Sequence, residues 1–598
     1  MKKYCFAVVV PLLFPLPSVL ASELDPIVVT ATRTAQTADE TLAPVTVITR
    51  EDIETQQAQS LDDIFRTVAG MTISNNGGPG KNTSVYLRGT ESDHVLVLID
   101  GIKVGSATLG TTPYQHIPID QIERIEIVRG PRSSLYGSEA IGGVIQIFTR
   151  KGGGKLRPSF SAGYGRYRTY DTSVGLSGGG ERGWFNLHAN SIDTDGFDTK
   201  DTGDEPDDDG YRNLSGSLRA GYRFDNGLTL DVHLLRAKND TEFDGNGVLS
   251  NESESDQQVL GGTVRYSPTL NWDLTLTAGQ SRDESDNFKD GVFTSSFDTE
   301  RDTLSFQNDI AMGDNHLLTL GGDYRDDEVS GSTDYAVDSR EDKGIFGQYQ
   351  GIFSNHDLQL SLRWDDNDQF GNHTTGNATW GYAPTDNLRF IASYGAAFKA
   401  PTFNELYYPN FGNPSLDPEE SRSFELGMKG NARWGDWSLN AYRTDIDDLI
   451  AYDASWTPDN ISEARIYGLE GILATHIQGW NLNANFNLLD PENRSGGEED
   501  GNRLSRRTQR SVRLDMDRTF GKFAVGMSVF AEGDRYDDLA NTEKLGGYTL
   551  VDLRAEYRFR QDWRLQARIE NLLDKKYETA ESYNQPRAGL FVTLRYQP

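Results

Sequence analysis

The chain has 598 residues, with 58 Lys and Arg against 90 Asp and Glu, for a formal net charge of −32. So acidic a surface argues against binding nucleic-acid phosphates, and the one cysteine, Cys5, excludes a disulfide framework. With 61 Gly, 27 Phe and 26 Tyr but only 6 Met, the composition fits many short strands better than helical domains.

Met1-Lys2-Lys3, an apolar stretch from Phe6 to Leu20 and Ala21 before Ser22 predict a cleavable secretory signal over residues 1–21. Pro11, Pro15 and Pro17 argue against a retained membrane helix. Removing the signal takes away Lys2 and Lys3 and no acid, so −32 becomes −34. No later run of about eighteen apolar residues occurs, so no transmembrane helix is expected.

Residues 22–36 form a leader around "DPIVVTATR" (25–33). Ile27, Val28 and Val29 are consecutive β-branched residues, which is strand chemistry, yet the polar flanks offer no evident hairpin partner. An ordinary disordered leader and the first strand of the next domain are the plain alternatives.

Residues 37–154 read as a small α/β unit. Ser60 is placed to cap a helix carrying Leu61, Ile64, Phe65 and Val68 at helical spacing, with Gly70 as the stop. "VLVLID" (95–100), "IERIEIVRGP" (122–131) and "GGVIQIFTR" (142–150) are strand-like runs. "GPGKN" (78–82) is not a phosphate-binding loop, because Asn75 and Asn82 stand where the motif needs Gly and Ser or Thr.

From 155 to 598 the pattern alternates. Leu218, Ala220, Tyr222 and Phe224 interleave with Arg219, Gly221 and Arg223; Asp225-Asn226-Gly227 signals a tight turn; Leu228, Leu230, Val232 and Leu234 follow. Val551 to Phe559 repeats the pattern, with Arg554 and Arg558 on the polar face. Segments of about 9–11 residues that alternate apolar and polar suit a transmembrane barrel with a wet lumen. A soluble sandwich or propeller also alternates, but no blade-length repeat occurs. At ~20 residues per strand and connection, residues 155–598 supply about 22 strands, a size whose lumen is plugged. The expected fold is thus a membrane all-β protein: an antiparallel transmembrane β-barrel of about 22 strands, with the α/β unit as a plug in its lumen.

Residues 193–209 hold nine acids against Lys200, and residues 240–256 hold six more. One hairpin separates the two stretches, so both emerge on one rim, and the short Asp225–Gly227 turn makes that rim extracellular. Such loops are usually just solvated; a hard divalent cation, calcium rather than zinc, would collect their oxygens. Glu205, Asp207, Asp209 and Gly210 imitate the start of an EF-hand, but Gly216 at the twelfth position rules that motif out. The eight histidines show no metal spacing and no Ser/His/Asp order stands out, so no enzyme is expected.

Several long motifs carry a resemblance. Residues 25–33 resemble the energy-coupling box of TonB-dependent outer-membrane receptors. "APVTVITREDI", "SVYLRGTESDHVLVLIDG" and "IERIEIVRGPRSSLYGSEAIGGVIQIFTRKG" resemble the family's plug, and "YGAAFKAPTFNELY" and "NLLDKKYE" its barrel. "NNGGPGKNTS", "YGSEAIGG" and "NFGNPSLDPE" lean toward the cobalamin-transporting branch, with ferric-siderophore receptors as the alternative. The resemblance implies a monomer in the bacterial outer membrane that imports cobalamin. It also implies a partner, TonB, driven by the inner-membrane ExbB–ExbD motor and gripping Asp25, Pro26, Ile27, Val28, Val29, Thr30, Ala31 and Thr32. It places the substrate against Asn82, Ser84, Glu91, Leu109, Gly110 and Arg506, and calcium against Asp198, Glu205, Asp207, Asp209, Asp244 and the Phe243 carbonyl. Asn82 and Glu91 differ in type from the family's usual residues, and Tyr596, the expected terminal aromatic, is followed by Gln597-Pro598. A passive porin would need neither plug nor leading strand.

Overall fold

The computed structural model describes residues 28–29, 32–34, 36–37, 40–200, 207–245, 250–452 and 457–598. The predicted signal lies outside them.

Twenty-two antiparallel strands, from Arg157–Gly165 to Gly589–Tyr596, close into one barrel. The seam pairs Phe160 with Tyr596, so Tyr596 ends the last strand and Gln597-Pro598 extends beyond it. Alternation sets which face meets lipid. Leu218, Tyr222, Phe224, Leu230 and Val232 are exposed on the outer wall, whereas Asp231 and His233 are buried on the luminal side. Lumen-facing charges are neutralised locally: Arg219 donates to Asp231 at 2.9 Å and to Asp100 of the plug at 2.7 Å. Connections at one end of the barrel are two to five residues long, while at the other they reach nineteen, over residues 400–418. The short ones mark the periplasmic end.

The plug is built on a five-stranded sheet in the order Val45–Thr49, Ile122–Arg129, Gly143–Thr149, Val95–Ile99, Ile102–Val104. Val95–Ile99 is wholly buried and runs parallel to Gly143–Thr149, as its unbroken apolar run requires. The Ser60 hydroxyl accepts from Asp63 N, and the helix Leu61–Phe65 buries Leu61, Ile64 and Phe65. It stops short of Gly70, whose φ of +77° reverses the chain.

Glycines on the wall seat the plug. A Cβ at Gly279 would lie 2.5 Å from Ile102 Cδ1 and 2.6 Å from the Leu260 carbonyl, so only a bare backbone lets the edge strand nest there. Arg88 of the plug then reaches into the wall, donating to Glu425 through both terminal nitrogens at 3.0 Å and to Glu470 at 3.0 and 3.2 Å. All three side chains are buried, and Arg88 also lies 4.2 Å above the Tyr442 ring.

Candidate functional site

Three groups of residues lie along the barrel axis. At the inner end, Val28–Val29 pairs antiparallel with Gln36–Thr37, in the register Val28 to Thr37 and Val29 to Gln36. This corrects the expectation that the leading strand lacks a hairpin partner: the flank is polar, but a backbone ladder needs no apolar side chains. Asp25, Pro26, Ile27, Thr30 and Ala31 lie outside the described residues.

Thr32 is buried, and its carbonyl accepts from Gln348 at 3.4 Å. Arg33, absent from the sequence expectations, is the anchor of this end. Its guanidinium donates to the Leu135 carbonyl at 3.1 Å, to Ser305 Oγ at 3.0 Å and to Asp323 Oδ2 at 2.8 Å. It lies 4.6 Å from both the Tyr136 and Phe346 rings, and Asp323 also pairs with Arg363 at 2.5 Å. Four residues beyond Val29, the chain is thereby tied to both plug and wall.

At the outer end, five of the six substrate-binding candidates lie on the plug and Arg506 on a barrel connection. Asn82 is exposed, Ser84 and Glu91 are half-buried, and Leu109 stands 61 % exposed. Gly110 has a φ of +73°, and a Cβ there would meet Thr402 Cγ2 at 2.8 Å, so this loop packs tightly on the barrel connection above it. Arg506 is held by Asp537 through two hydrogen bonds of 2.9 and 3.1 Å. Its neighbour Arg507, missed from the sequence, forms the ion pair with Glu91 and covers the Tyr86 ring at 4.3 Å.

The third group is acidic. Asp198, Asp209 and Asp244 each offer a carboxylate oxygen within 4.8 Å of the others. They come from both acidic stretches: Asp198 follows the third barrel strand, Asp209 opens the fourth, and Asp244 follows the fifth. The pocket is stiffened by backbone donors: Thr199 N to Asp209 at 2.8 Å, Lys200 N to Asp198 at 3.0 Å and to Asp244 at 2.8 Å. Asp209 and Asp244 are buried. Burial pushes the Asp209 carboxyl up to about 6, with the Thr199 hydrogen bonds opposing and the Asp244 charge adding to the rise. Lys81 of the plug donates through its ammonium to the Asp209 and Gly210 carbonyls at 3.0 Å, and its charge partly offsets the rise at Asp209.

Phe243 precedes Asp244 at the end of its strand. Asp207 is exposed and stands outside the triad, and Glu205 lies outside the described residues. An oxygen-only donor set with two buried members fits a hard cation of calcium type.

Comparison with known proteins agrees with this architecture. The barrel family described as "TonB dependent receptor-like, beta-barrel" matches residues 153–572, and the "TonB-dependent Receptor Plug Domain" matches residues 37–144. The chain is 35 % identical over 614 residues to the vitamin B12 transporter BtuB of Photobacterium profundum, covering 100 % of both chains. It is 33 % identical over 613 residues to that of Vibrio vulnificus, covering 98 % of each. Among solved structures, the siderophore receptor PiuA from Acinetobacter baumannii superposes with a TM-score of 0.82 at 17 % identity, over 96 % of this chain and 99 % of that one. A point mutant of the ferric enterobactin receptor PfeA from Pseudomonas aeruginosa gives 0.79 at 19 % identity, over 93 % and 98 %. At such identities these two speak for the fold alone. A plugged barrel of 22 strands, matched along most of its length by both family models, makes this chain a member of the TonB-dependent receptors of the outer membrane.

Proposed function

We propose that the chain binds cobalamin at its extracellular mouth and passes it to the periplasm. The observation that carries this reading is full-length identity of 35 % and 33 % to two vitamin B12 transporters. In this reading Asn82, Ser84, Glu91, Leu109 and Gly110 form the floor of the site, with Arg506 at its side. Calcium would be held by Asp198, Asp209 and Asp244, with Glu205 and the Phe243 carbonyl as further candidate ligands, and would order two loops that otherwise repel each other. An ion there would supply charge neutralisation to the buried Asp209 and Asp244.

The energy comes from the inner side. TonB captures residues 25–32 edge-on, taking the place of Gln36–Thr37 in the ladder. Tension along the strand reaches Arg33 next, and its release frees the contact between plug and wall. Calorimetric titration of the purified protein with cyanocobalamin and with ferric siderophores, each with and without calcium, tests the reading. Cobalamin should bind, and more tightly with calcium; binding of an iron chelate alone would overturn it.

A further inference from the structure

Between the plug sheet and the barrel wall lies a cavity of about 490 Å³ that neither the substrate-binding candidates nor the acidic triad touches. Leu96, Leu98, Gln146 and Phe148 form its plug side, and its wall side extends from Arg219 on the fourth barrel strand to Arg363 on the eleventh. Thr263, Thr275, Thr277, Thr303 and Ser305 give that wall small hydroxyl side chains, with Arg265 among them. Arg265 shares the luminal side of its strand with buried Thr263 yet is itself exposed, so the space is open to water. Arg265 and Thr275 flank the short connection 270–271, and Asp309 precedes the short connection 312–315, which puts the cavity in the periplasmic half. A second cavity between plug and wall, beside Arg66 and Arg568, holds about 170 Å³.

Two parts of the amino-terminal region close it. At the inner end Arg33 bridges plug and wall, and its partners Ser305 and Asp323 line the cavity with it. At the outer end Lys103 lines it from the edge strand Ile102–Val104. That strand is three residues long and pairs on one side alone, with Val97–Ile99. It meets the wall where Ser281 Oγ donates to the Lys103 carbonyl at 2.8 Å, and it runs straight into the loop that carries Leu109 and Gly110. Short segments tied along one edge are among those that open most readily. Displacing this one would join the outer loop to the cavity.

We propose that this cavity is a transit chamber for the transported ligand, parted from the extracellular site by the edge strand Ile102–Val104 and from the periplasm by Arg33. Tension on the leader releases Arg33 first, because it is the plug-and-wall contact nearest the strand being pulled. The lining suits a hydrophilic cargo, since hydroxyl and charged groups replace the hydrogen bonds that the cargo loses on leaving water. The volume falls within the roughly 300–1,000 Å³ of small-molecule sites, and displacement of the edge strand adds room for a larger cargo. Cyanocobalamin as the probe rests on the reading of the chain as a cobalamin transporter; the chamber itself does not.

The test uses Thr275→Cys and Thr303→Cys, whose thiols are unique once the predicted signal carrying Cys5 is removed. In purified protein a hydrophilic maleimide should react slowly with either thiol, and about tenfold faster in the Arg33→Ala background, the factor expected when a hydrogen bond to a charged group is lost. In whole cells carrying either variant, labelling should leave cyanocobalamin binding at the surface intact and cut its uptake to a small fraction of the unlabelled value. Both are scaled to wild-type cells treated alike, and retained surface binding shows that the labelled protein is folded. Labelling rates unmoved by Arg33→Ala, or full uptake through completely labelled protein, would overturn the chamber. Wild-type cells that take up no cyanocobalamin would instead overturn the cobalamin reading, and the labelling rates would then decide the chamber by themselves.

Discussion

Arg33 shows how much of the mechanism one side chain can hold. Its charge is shared between Asp323 and the Leu135 carbonyl, and its flat face is closed on two sides by Tyr136 and Phe346. Arg33→Ala removes hydrogen bonds to a charged group, worth about 1.5–3 kcal/mol each where buried, and should shift the leader toward a detached state. A spin label at residue 29 should then become more mobile without TonB present; an unchanged spectrum would contradict the anchor.

At the acidic triad the sign of the pH effect follows from Asp209. Its carboxyl titrates near 6, above the ordinary value of 3.8, so protons compete with any cation there in mildly acid solution. Calcium affinity should be full well above pH 6 and fall as pH drops through that value. Asp244→Asn removes one of three charges and should weaken calcium binding at least tenfold at neutral pH, on the scale by which ligand charge tunes such sites. Calorimetry across pH checks both statements.

At the scale of elements, the proposed capture by TonB turns on the Val28–Val29 strand and its partner Gln36–Thr37. A proline has no N–H to give to a ladder, so Val29→Pro should abolish uptake of the transported ligand while leaving surface binding intact; undiminished uptake in whole cells would contradict capture at this strand. Much of the element plan is legible in the sequence because each barrel strand states its own two faces: Leu218, Tyr222 and Phe224 lie outside as their spacing requires. The buried run Val95–Ile99 is legible for the opposite reason, having no polar face at all. The pairing of Val28–Val29 with Gln36–Thr37 is not, since it consists of backbone contacts that leave no mark on side-chain type. Nor are the partners of Arg33 and Arg88, which stand 290 positions away at Asp323 and 382 away at Glu470. The acidic loops fall between these cases. Counting strands puts them on one rim, but only the fold brings Asp198, Asp209 and Asp244 within 4.8 Å while leaving Asp207 in solvent.

For the whole molecule, the plug stays because its seat is both shaped and charged. Ile102 fits against the bare backbone of Gly279, and Arg88 satisfies two buried glutamates of the wall. Arg88→Ala leaves Glu425 and Glu470 facing each other without this partner, and loss of one member of a buried ionic group costs about 3–5 kcal/mol. The variant should unfold at lower denaturant and let small solutes leak from vesicles that wild-type protein keeps sealed. Tight vesicles would show that shape alone retains the plug.

The seam between Phe160 and Tyr596 joins the first strand of the wall to the last. Until the final eight-residue strand arrives, the growing sheet is a ribbon with two raw edges, which hydrocarbon cannot satisfy. Biogenesis must therefore shelter a nearly complete chain in the periplasm, enclose the amino-terminal domain and zip the cylinder shut as its closing act. A chain clipped ahead of Gly589 would lose that zip and be left to the cell's proteases rather than to the membrane.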